Sequence, residues 1–338
     1  MQQFSLSANI EEGLSKNFQY IVTPNARDVA SGFVDGYRTG IHSFTIIGSY
    51  GTGKSSFLLA LEKDLQSKGS YSLLNPQTLS ANAKFDVLKI VGDYKDLVSL
   101  MRDKLSVDGT ADNVLDRLRE IYNQAKKQGK FLVIFIDEFG KVLEHAAKNN
   151  PEQELYFMQK LAEFVNVSTR QILLVTTLHQ NFSAYARKLS TLQKEEWTKV
   201  KGRFKELVFI EPVEQLLYLA STQLNAKNDV GVNAESMEKL CQLAKATKFV
   251  SDGFNSDTAN ALYPLEPFSA YAMTQAIQRY GQNERSLFSF LNAKGASSLS
   301  EYKEGFYGIA NCYDYILQNF YSYLKDANAD SMQWSSMQ

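Results

Sequence analysis

The chain has 338 residues, 44% of them hydrophobic and 22% charged, and a formal net charge of −1, an ordinary globular composition with room for two domains. It carries no overall basic field to announce nucleic acid, although a local DNA-contacting patch is still allowed. Cys241 and Cys312 are too few and too far apart for a disulfide framework or a zinc site, and they read as buried thiols in a reducing cytoplasm. The opening MQQFSLSANIEEG lacks a basic start and an apolar core, and no run approaches the ~18 apolar residues of a membrane span, so neither an export signal nor a transmembrane segment is expected.

Residues 1–40 are mixed, with Thr23-Pro24 as a turn and a predicted helix from Ala26 to Arg38 that carries Val29, Phe33, Val34 and Tyr37 at helical spacing. Next comes FTIIGSYGTGKSSF, Phe44 to Phe57. A short apolar strand, Phe44 to Ile47, meets Gly48, Ser49, Tyr50, Gly51, Thr52, Gly53, Lys54, Ser55 and Ser56, and a helical apolar pattern begins at Phe57, Leu58, Leu59 and Leu61. Gly48, four residues, then Gly53-Lys54-Ser55 is the spacing of a phosphate-binding loop. Glycines let the backbone turn its N–H groups inward, and the following helix adds the positive end of its dipole. In such a loop Lys54 neutralises the β- and γ-phosphates and the Ser55 hydroxyl ligates Mg²⁺. The competing reading is an ordinary strand-to-helix turn with a surface lysine.

The helix is expected to run to about Ser67, residues 68–83 read as a loop, and Phe85 to Val91 reads as a second strand. Helices follow at Tyr94 to Leu105 and Ala111 to Lys127, the second closed by lysines and Gly129. FLVIFIDEFG, residues 131–140, has the continuous apolar run of a strand buried on both faces. It ends in Asp137 and Glu138. An aspartate at the C-terminal end of a central parallel strand reaches the Mg²⁺ beside the first strand's loop, and the next glutamate polarises the attacking water. Acids ahead of a helix near Lys141 to Ala147 also suit an N-cap.

A further helix starts at Pro151, and Gln171 to Thr176 supplies another apolar strand that runs into Thr177 and His179. Two residues apart, these share a face and point toward a γ-phosphate or the lytic water, while His179 equally suits a satisfied loop position. A polar helix is expected over Ser183 to Lys194. Lys199, Lys201, Arg203 and Lys205 then alternate as if along an extended approach to a fifth strand, Glu206 to Ile210, with Pro212 opening the helix Glu214 to Leu224. Helical patterns recur at Met237 to Ala246, Pro267 to Arg279, Glu284 to Leu291 and Ile309 to Leu324, with Ser251 to Asn260 as a polar linker. The tyrosine-rich stretch from Tyr302 to Tyr323 reads as a packing face before it reads as a base-stacking one.

The glycine loop with an Asp-Glu strand end, and the absence of a TKxD guanine motif or an LSGGQ signature, favour an ATPase over a GTPase or an ABC-type enzyme. The order of motifs, with Gly202-Arg203-Phe204 ahead of the last strand, resembles AAA+ ATPases of the origin-recognition and STAND-like kind. The phrases GSYGTGKSSF, IDEFGK and NERSLFSFL are similar to P-loop ATPases of bacterial antiphage defence systems. The resemblance implies that His179 occupies the sensor-1 position, more often asparagine, that Arg203 is an arginine finger used in trans within a homo-oligomer, and that Arg285 is sensor 2. By analogy, Tyr20, Ile21 and Thr23 lie against the nucleotide base.

The expected architecture is an α/β P-loop NTPase sandwich over residues 1–212, with five parallel strands in the order 5-1-4-3-2, and an α-helical lid and extension over residues 213–338. The expected activity is Mg²⁺-dependent ATP hydrolysis. Lys54 and the loop amides hold phosphates, Ser55 and Asp137 the metal, Glu138 the water, and Arg285 with a neighbour's Arg203 the developing charge. No nuclease, wing or other effector module is recognisable, so either an isolated ATPase portion or a subunit that drives a protein partner is expected. Two alternatives are an assembly switch that hydrolyses slowly and a DNA-loading or DNA-sensing ATPase that reads phosphates through Lys199, Lys201 and Lys205.

Overall fold

The structure, a computed structural model, describes residues 9–13, 20–67, 70–224, 233–251, 253–280, 287–295, 297–302, 305–326 and 331–336. Five parallel strands, β1 (Ser43–Ile47), β2 (Phe85–Val91), β3 (Phe131–Asp137), β4 (Ile172–Leu178) and β5 (Lys205–Val208), pair in the order β2-β3-β4-β1-β5. This is the order expected from the sequence. Every residue of β3 and β4 is buried, whereas the edge strands β2 and β5 are largely half-exposed. Apolar runs therefore fall in the middle of the sheet, where both faces need cover.

The two faces of β3 show how the layers arise. Phe131, Val133 and Phe135 join a core with α1 (Pro24–Arg38) and α2 (Lys54–Gln66). Leu132, Ile134 and Ile136 point the other way, into a core built with α3 (Leu97–Leu105), α4 (Ala111–Lys127), α5 (Phe139–Lys148), α6 (Pro151–Val165) and α7 (Thr191–Lys201). Alternate residues of one strand thus hold helices on opposite sides, the three-layer arrangement of a doubly covered parallel sheet.

The stretch between β4 and β5 departs from expectation. The helix expected over Ser183 to Lys194 is replaced by a 3-10 turn, Phe182–Ala186, and by α7, which begins only at Thr191. Ser190 and Gln193 form a reciprocal capping box that fixes that start. Lys199 and Lys201 therefore lie on a helix, not on an extended approach. Lys199 pairs with Glu196 at 2.5 Å and Lys201 with Glu206 at 3.5 Å. The extended row of cations expected ahead of the fifth strand does not form.

The chain divides into two compact units. The sheet and its helices make up Ala8–Gly48 and Gly53–Ile210, and Glu211–Gln338 with the loop residues Ser49–Thr52 makes up the other. The second unit is helical: α8 (Val213–Leu224), α9 (Ala234–Ala246), α10 (Ser256–Ala261), α11 (Pro267–Tyr280), α12 (Leu287–Asn292), α13 (Ile309–Asp326) and α14 (Ser331–Ser336). It has a hydrophobic core of its own, including Leu217, Met237, Leu262, Met273, Phe290 and Phe320, with both cysteines buried in it. Part of the expected linker is α10, because the Asn255 side chain caps it and Ala259 is buried. Tyr307 is fully buried, Tyr315 lies edge-on to Phe290, and Tyr313 stacks on Trp334, so these tyrosines are packing residues. Among the described residues no helix is long and apolar enough to cross a membrane.

Candidate nucleotide site

β1 hands the chain to the glycine loop at its C-terminal end, where the Gly48 N–H donates to the Leu178 carbonyl of β4 at 3.1 Å. Gly53 ends the loop in the left-handed region at φ +91°, and a Cβ there would meet nothing within 4 Å. Backbone conformation, not space, requires the glycine. Gly53 caps α2 without a side-chain bond, which leaves the first amides of the helix, at Lys54, Ser55 and Ser56, at the positive end of its dipole. The Thr52 hydroxyl braces the loop by donating to the Ser49 carbonyl at 2.9 Å, and the Lys54 ammonium donates to the Gly48 carbonyl.

Two strands away, β3 ends in the acidic pair. Register sets Ile136 beside Thr176, so Asp137 lies against Thr177. The Thr177 hydroxyl donates to Asp137 Oδ1 at 2.6 Å, and the Glu138 N–H is shared between Thr177 Oγ1 at 2.9 Å and Asp137 Oδ1 at 3.0 Å. Asp137 is 4% exposed, and its Oδ2 takes no hydrogen bond from the described residues. Glu138 occupies the N-cap position of α5 at φ +53°, yet its side chain makes no cap bond. Its carboxylate instead meets the Lys141 ammonium at 2.6 Å. The acids therefore sit where a cap would, without serving as one.

Electrostatics joins the two patches. Burial pushes the Lys54 ammonium down to about 8, and Asp137 and Glu138 both act on it in the opposite sense. The strand order accounts for this proximity, since only β4 separates the loop strand from the acid strand. β4 contributes Thr177 to the acid pair and places His179 beside Gly48. His179 Nδ1 lies 3.0 Å from the Tyr185 hydroxyl, and Nε2 lies 3.8 Å from Glu144 Oε1. Burial, followed by the Lys54 charge, pushes the His179 pKa down to about 4, so the ring is neutral at physiological pH.

Residues 44–199 match the family model of AAA, the ATPase family associated with various cellular activities. The matched stretch contains the sheet from β1 through β4 together with the loop, the acid pair, Thr177 and His179. No curated protein matches the chain. Among solved structures, the Aeropyrum pernix ORC2 protein in its ADPNP–ADP complexes matches 72% of this chain and 69% of its own, at 15% identity and a TM-score of 0.39. Caenorhabditis elegans PCH-2 matches 90% and 70%, at 14% identity and a TM-score of 0.44. Drosophila ORC bound to DNA matches 92% and 85%, at 13% identity and a TM-score of 0.35.

The other expected residues fall elsewhere. Arg203 precedes β5, at the opposite end of the sheet from the glycine loop. The five residues of β1 between those ends span roughly 16 Å. The Arg203 carbonyl accepts from Ser43 Oγ at 2.6 Å and Asn166 Nδ2 at 3.0 Å, and its guanidinium pairs with Glu163 at 2.8 Å. It is not brought to the loop of its own chain. Arg285 and the first four residues of NERSLFSFL, 283–286, lie outside the described residues. Thr23 caps α1 by accepting from the Ala26 N–H at 3.1 Å, the Tyr20 ring lies edge-on to Tyr71, and Ile21 is half-buried.

Magnesium and a triphosphate fit the donors that are present. Among the described residues no three His, Cys, Asp or Glu side chains gather to hold a metal by themselves. Mg²⁺ suits such a site, since it takes one or two protein oxygens and fills the rest with phosphate and water. Ser55 and Asp137, with Oδ2 of the latter taking no hydrogen bond from the described residues, are the residues that would hold it. The sequence reading missed Tyr185, Glu144 and Lys141, which surround His179 and Glu138. The only trace of them is Gly140, whose lack of a side chain makes room for Tyr185.

Proposed function

We propose that the chain is a Mg²⁺-dependent ATPase that couples hydrolysis to a conformational or assembly step. The observation that carries the reading is the convergence of Lys54, Asp137 and Glu138 in one electrostatic environment at the C-terminal ends of β1 and β3. In this reading the amides from Gly48 to Ser56, with Ser49, Tyr50, Gly51, Thr52 and Gly53 shaping the turn, cradle the phosphates, and Lys54 neutralises them. Ser55 and Asp137 hold Mg²⁺, which when bound supplies charge neutralisation on the phosphate oxygens. Glu138 accepts the proton of the attacking water, Thr177 fixes the acid pair, and His179 offers a hydrogen-bond donor to the reacting phosphate. The helical unit from Val213 onward serves as lid, with Arg285 as its contribution to the site. A neighbour's Arg203 completes it in a homo-oligomer, and the likeness to antiphage ATPases suggests a defence complex as the setting for its partner.

The Glu138–Lys141 contact favours a second reading, in which ATP is mainly an assembly switch. The carboxylate must turn away from the Lys141 ammonium to reach an attacking water, and hydrolysis then waits on that contact opening. Turnover assays beside size-exclusion with and without ATP separate the two: rapid turnover points to the first, ATP-dependent assembly with slow turnover to the second.

The decisive variants are Glu138→Gln and Lys54→Ala. Glu138→Gln is expected to bind ATP and to hydrolyse it at least about 100-fold more slowly, the usual worth of a general base. Lys54→Ala is expected to lose ATP binding. Full activity in either variant would remove the site assignment.

A further inference from the structure

We propose that Gly92 is a positioning residue for the acid pair: with no side chain of its own, it lets the end of β2 grip the peptide between Asp137 and Glu138 and seats the Glu138 carbonyl where a Cβ would stand. The effect on turnover rests on the ATPase reading, whereas the grip itself is independent of it.

β2 and β3 run in parallel register as far as Val91 beside Asp137, and the ladder continues one step past the strand, with the Gly92 N–H donating to the Asp137 carbonyl at 2.7 Å. From the other side, the Glu138 N–H donates to Thr177 Oγ1 of β4 at 2.9 Å. The carbonyl and the N–H so held belong to one peptide unit. Neither direction of donation is open to choice, since an amide only donates and the Thr177 hydroxyl commits its proton to Asp137 Oδ1. The peptide that joins the two acids is therefore pinned by both neighbouring strands, and its plane cannot turn without breaking a hydrogen bond on each side.

Past that peptide the chain turns sharply. Glu138 is left-handed, at φ +53° and ψ 30°, which is uncommon for a residue with a side chain. The turn brings its carbonyl back against Gly92, where a Cβ would lie 2.5 Å from the Glu138 oxygen, 2.9 Å from the Glu138 carbonyl carbon and 3.0 Å from the Asp137 oxygen. All three are backbone atoms, so no change of rotamer relieves the overlap. A Cβ on Gly32 or Gly36 would first meet a side chain instead, Leu207 or Phe44. Gly92 lies outside the left-handed region, so close approach demands the glycine here, the reverse of Gly53. The same Glu138 carbonyl accepts the Lys141 N–H at 3.0 Å in the first turn of α5. Displacing it would shift Glu138 relative to Asp137, whose carboxylate stays tied to Thr177.

The test is Gly92→Ala beside Gly32→Ala, a control overpacked elsewhere in the same unit, where a Cβ would come 2.9 Å from a Leu207 methyl carbon. Steady-state ATPase kinetics and amide hydrogen exchange resolved to single residues are measured on both variants and on the wild type. Gly92→Ala is expected to lose roughly tenfold to a hundredfold in kcat, the cost of misplacing a catalytic group by about 1 Å, with KM for ATP little changed. Its Glu138 and Lys141 amides are expected to exchange faster. Gly32→Ala is expected to keep the wild-type kcat and the wild-type exchange at those two amides, whereas a merely structural effect would move both variants alike. Wild-type kcat in Gly92→Ala, or an equal loss in Gly32→Ala, would overturn the inference. Should Gly92→Ala not fold, the wild type's own Gly92 and Glu138 amides decide: protection upholds the grip, and exchange as fast as in an exposed loop overturns it. If the wild type hydrolyses no ATP, the hydrolysis reading falls while the exchange arm still decides the grip.

Discussion

Glu154 shows how a single carboxyl can shape the stability of the domain. It lies on α6, 6% exposed, and its Oε2 accepts the Leu97 N–H at 3.2 Å. Burial, with Asp96 adding to it, pushes the carboxyl from its ordinary 4.5 up to about 7. The folded chain therefore holds this proton more tightly than the unfolded chain, and stability falls as pH rises from about 4.5 to about 7. His179 works in the other direction. Its folded pKa of about 4 lies below the ordinary 6.5, so stability rises as pH rises through that window. The two slopes oppose one another and flatten the wild-type profile between pH 4.5 and 6.5. Glu154→Gln removes one of them. Its thermal midpoint should be higher than the wild type's at pH 8, by up to about 3 kcal/mol in stability, and equal to it near pH 4. Thermal unfolding at the two pH values checks this, and an equal shift at both would rule out a burial penalty.

At the scale of elements, the polar bracket at the lower end of the sheet is the most exacting contact. Asn166, the C-cap of α6, accepts from the His42 N–H at 2.8 Å and the Ser43 N–H at 3.0 Å, and donates to Ser43 Oγ at 2.8 Å and the Arg203 carbonyl at 3.0 Å. One side chain thus ties α6 to the starts of β1 and β5. Asn166→Ala leaves several buried groups unpaired and should cost about 2–3 kcal/mol in urea unfolding. None of this was legible in the sequence, where Asn166 is one polar residue in a loop. Strands β1 to β4 were legible because buried parallel strands are written as local apolar runs, and the strand order followed from the motifs at their ends. The region after β4 was not. Alternating cations at Lys199, Lys201, Arg203 and Lys205 imitate an exposed strand, and the Ser190-Gln193 capping box that makes the first two helical is a weaker signal. The loop and acid residues were readable because their chemistry is carried by contiguous residues. Tyr185 was not, because its contact with His179 forms around a turn and depends on a missing side chain on another helix.

For the molecule as a whole, the position of Arg203 decides what kind of assembly the proposed mechanism needs. It stands at the end of the sheet away from its own glycine loop, so any catalytic contact it makes is with another copy. Arg203→Ala should bind ATP and lose turnover, and Lys54→Ala should lose binding. Mixed together, the two variants should regain a fraction of wild-type activity, because one supplies an intact loop and the other an intact arginine. ATPase titration of one variant into the other checks this, and no recovery at any ratio would leave Arg203 as a structural partner of Glu163.

The buried indole of Trp197 adds a mechanical corollary. Its Nε1–H donates to the Phe182 carbonyl at 2.9 Å, so the turn that carries Tyr185 is bolted to α7, and α7 runs directly into Gly202 and Arg203. A shift of that turn would therefore pass through the tryptophan to α7 and on to Arg203, the residue that the proposed mechanism lends to another copy.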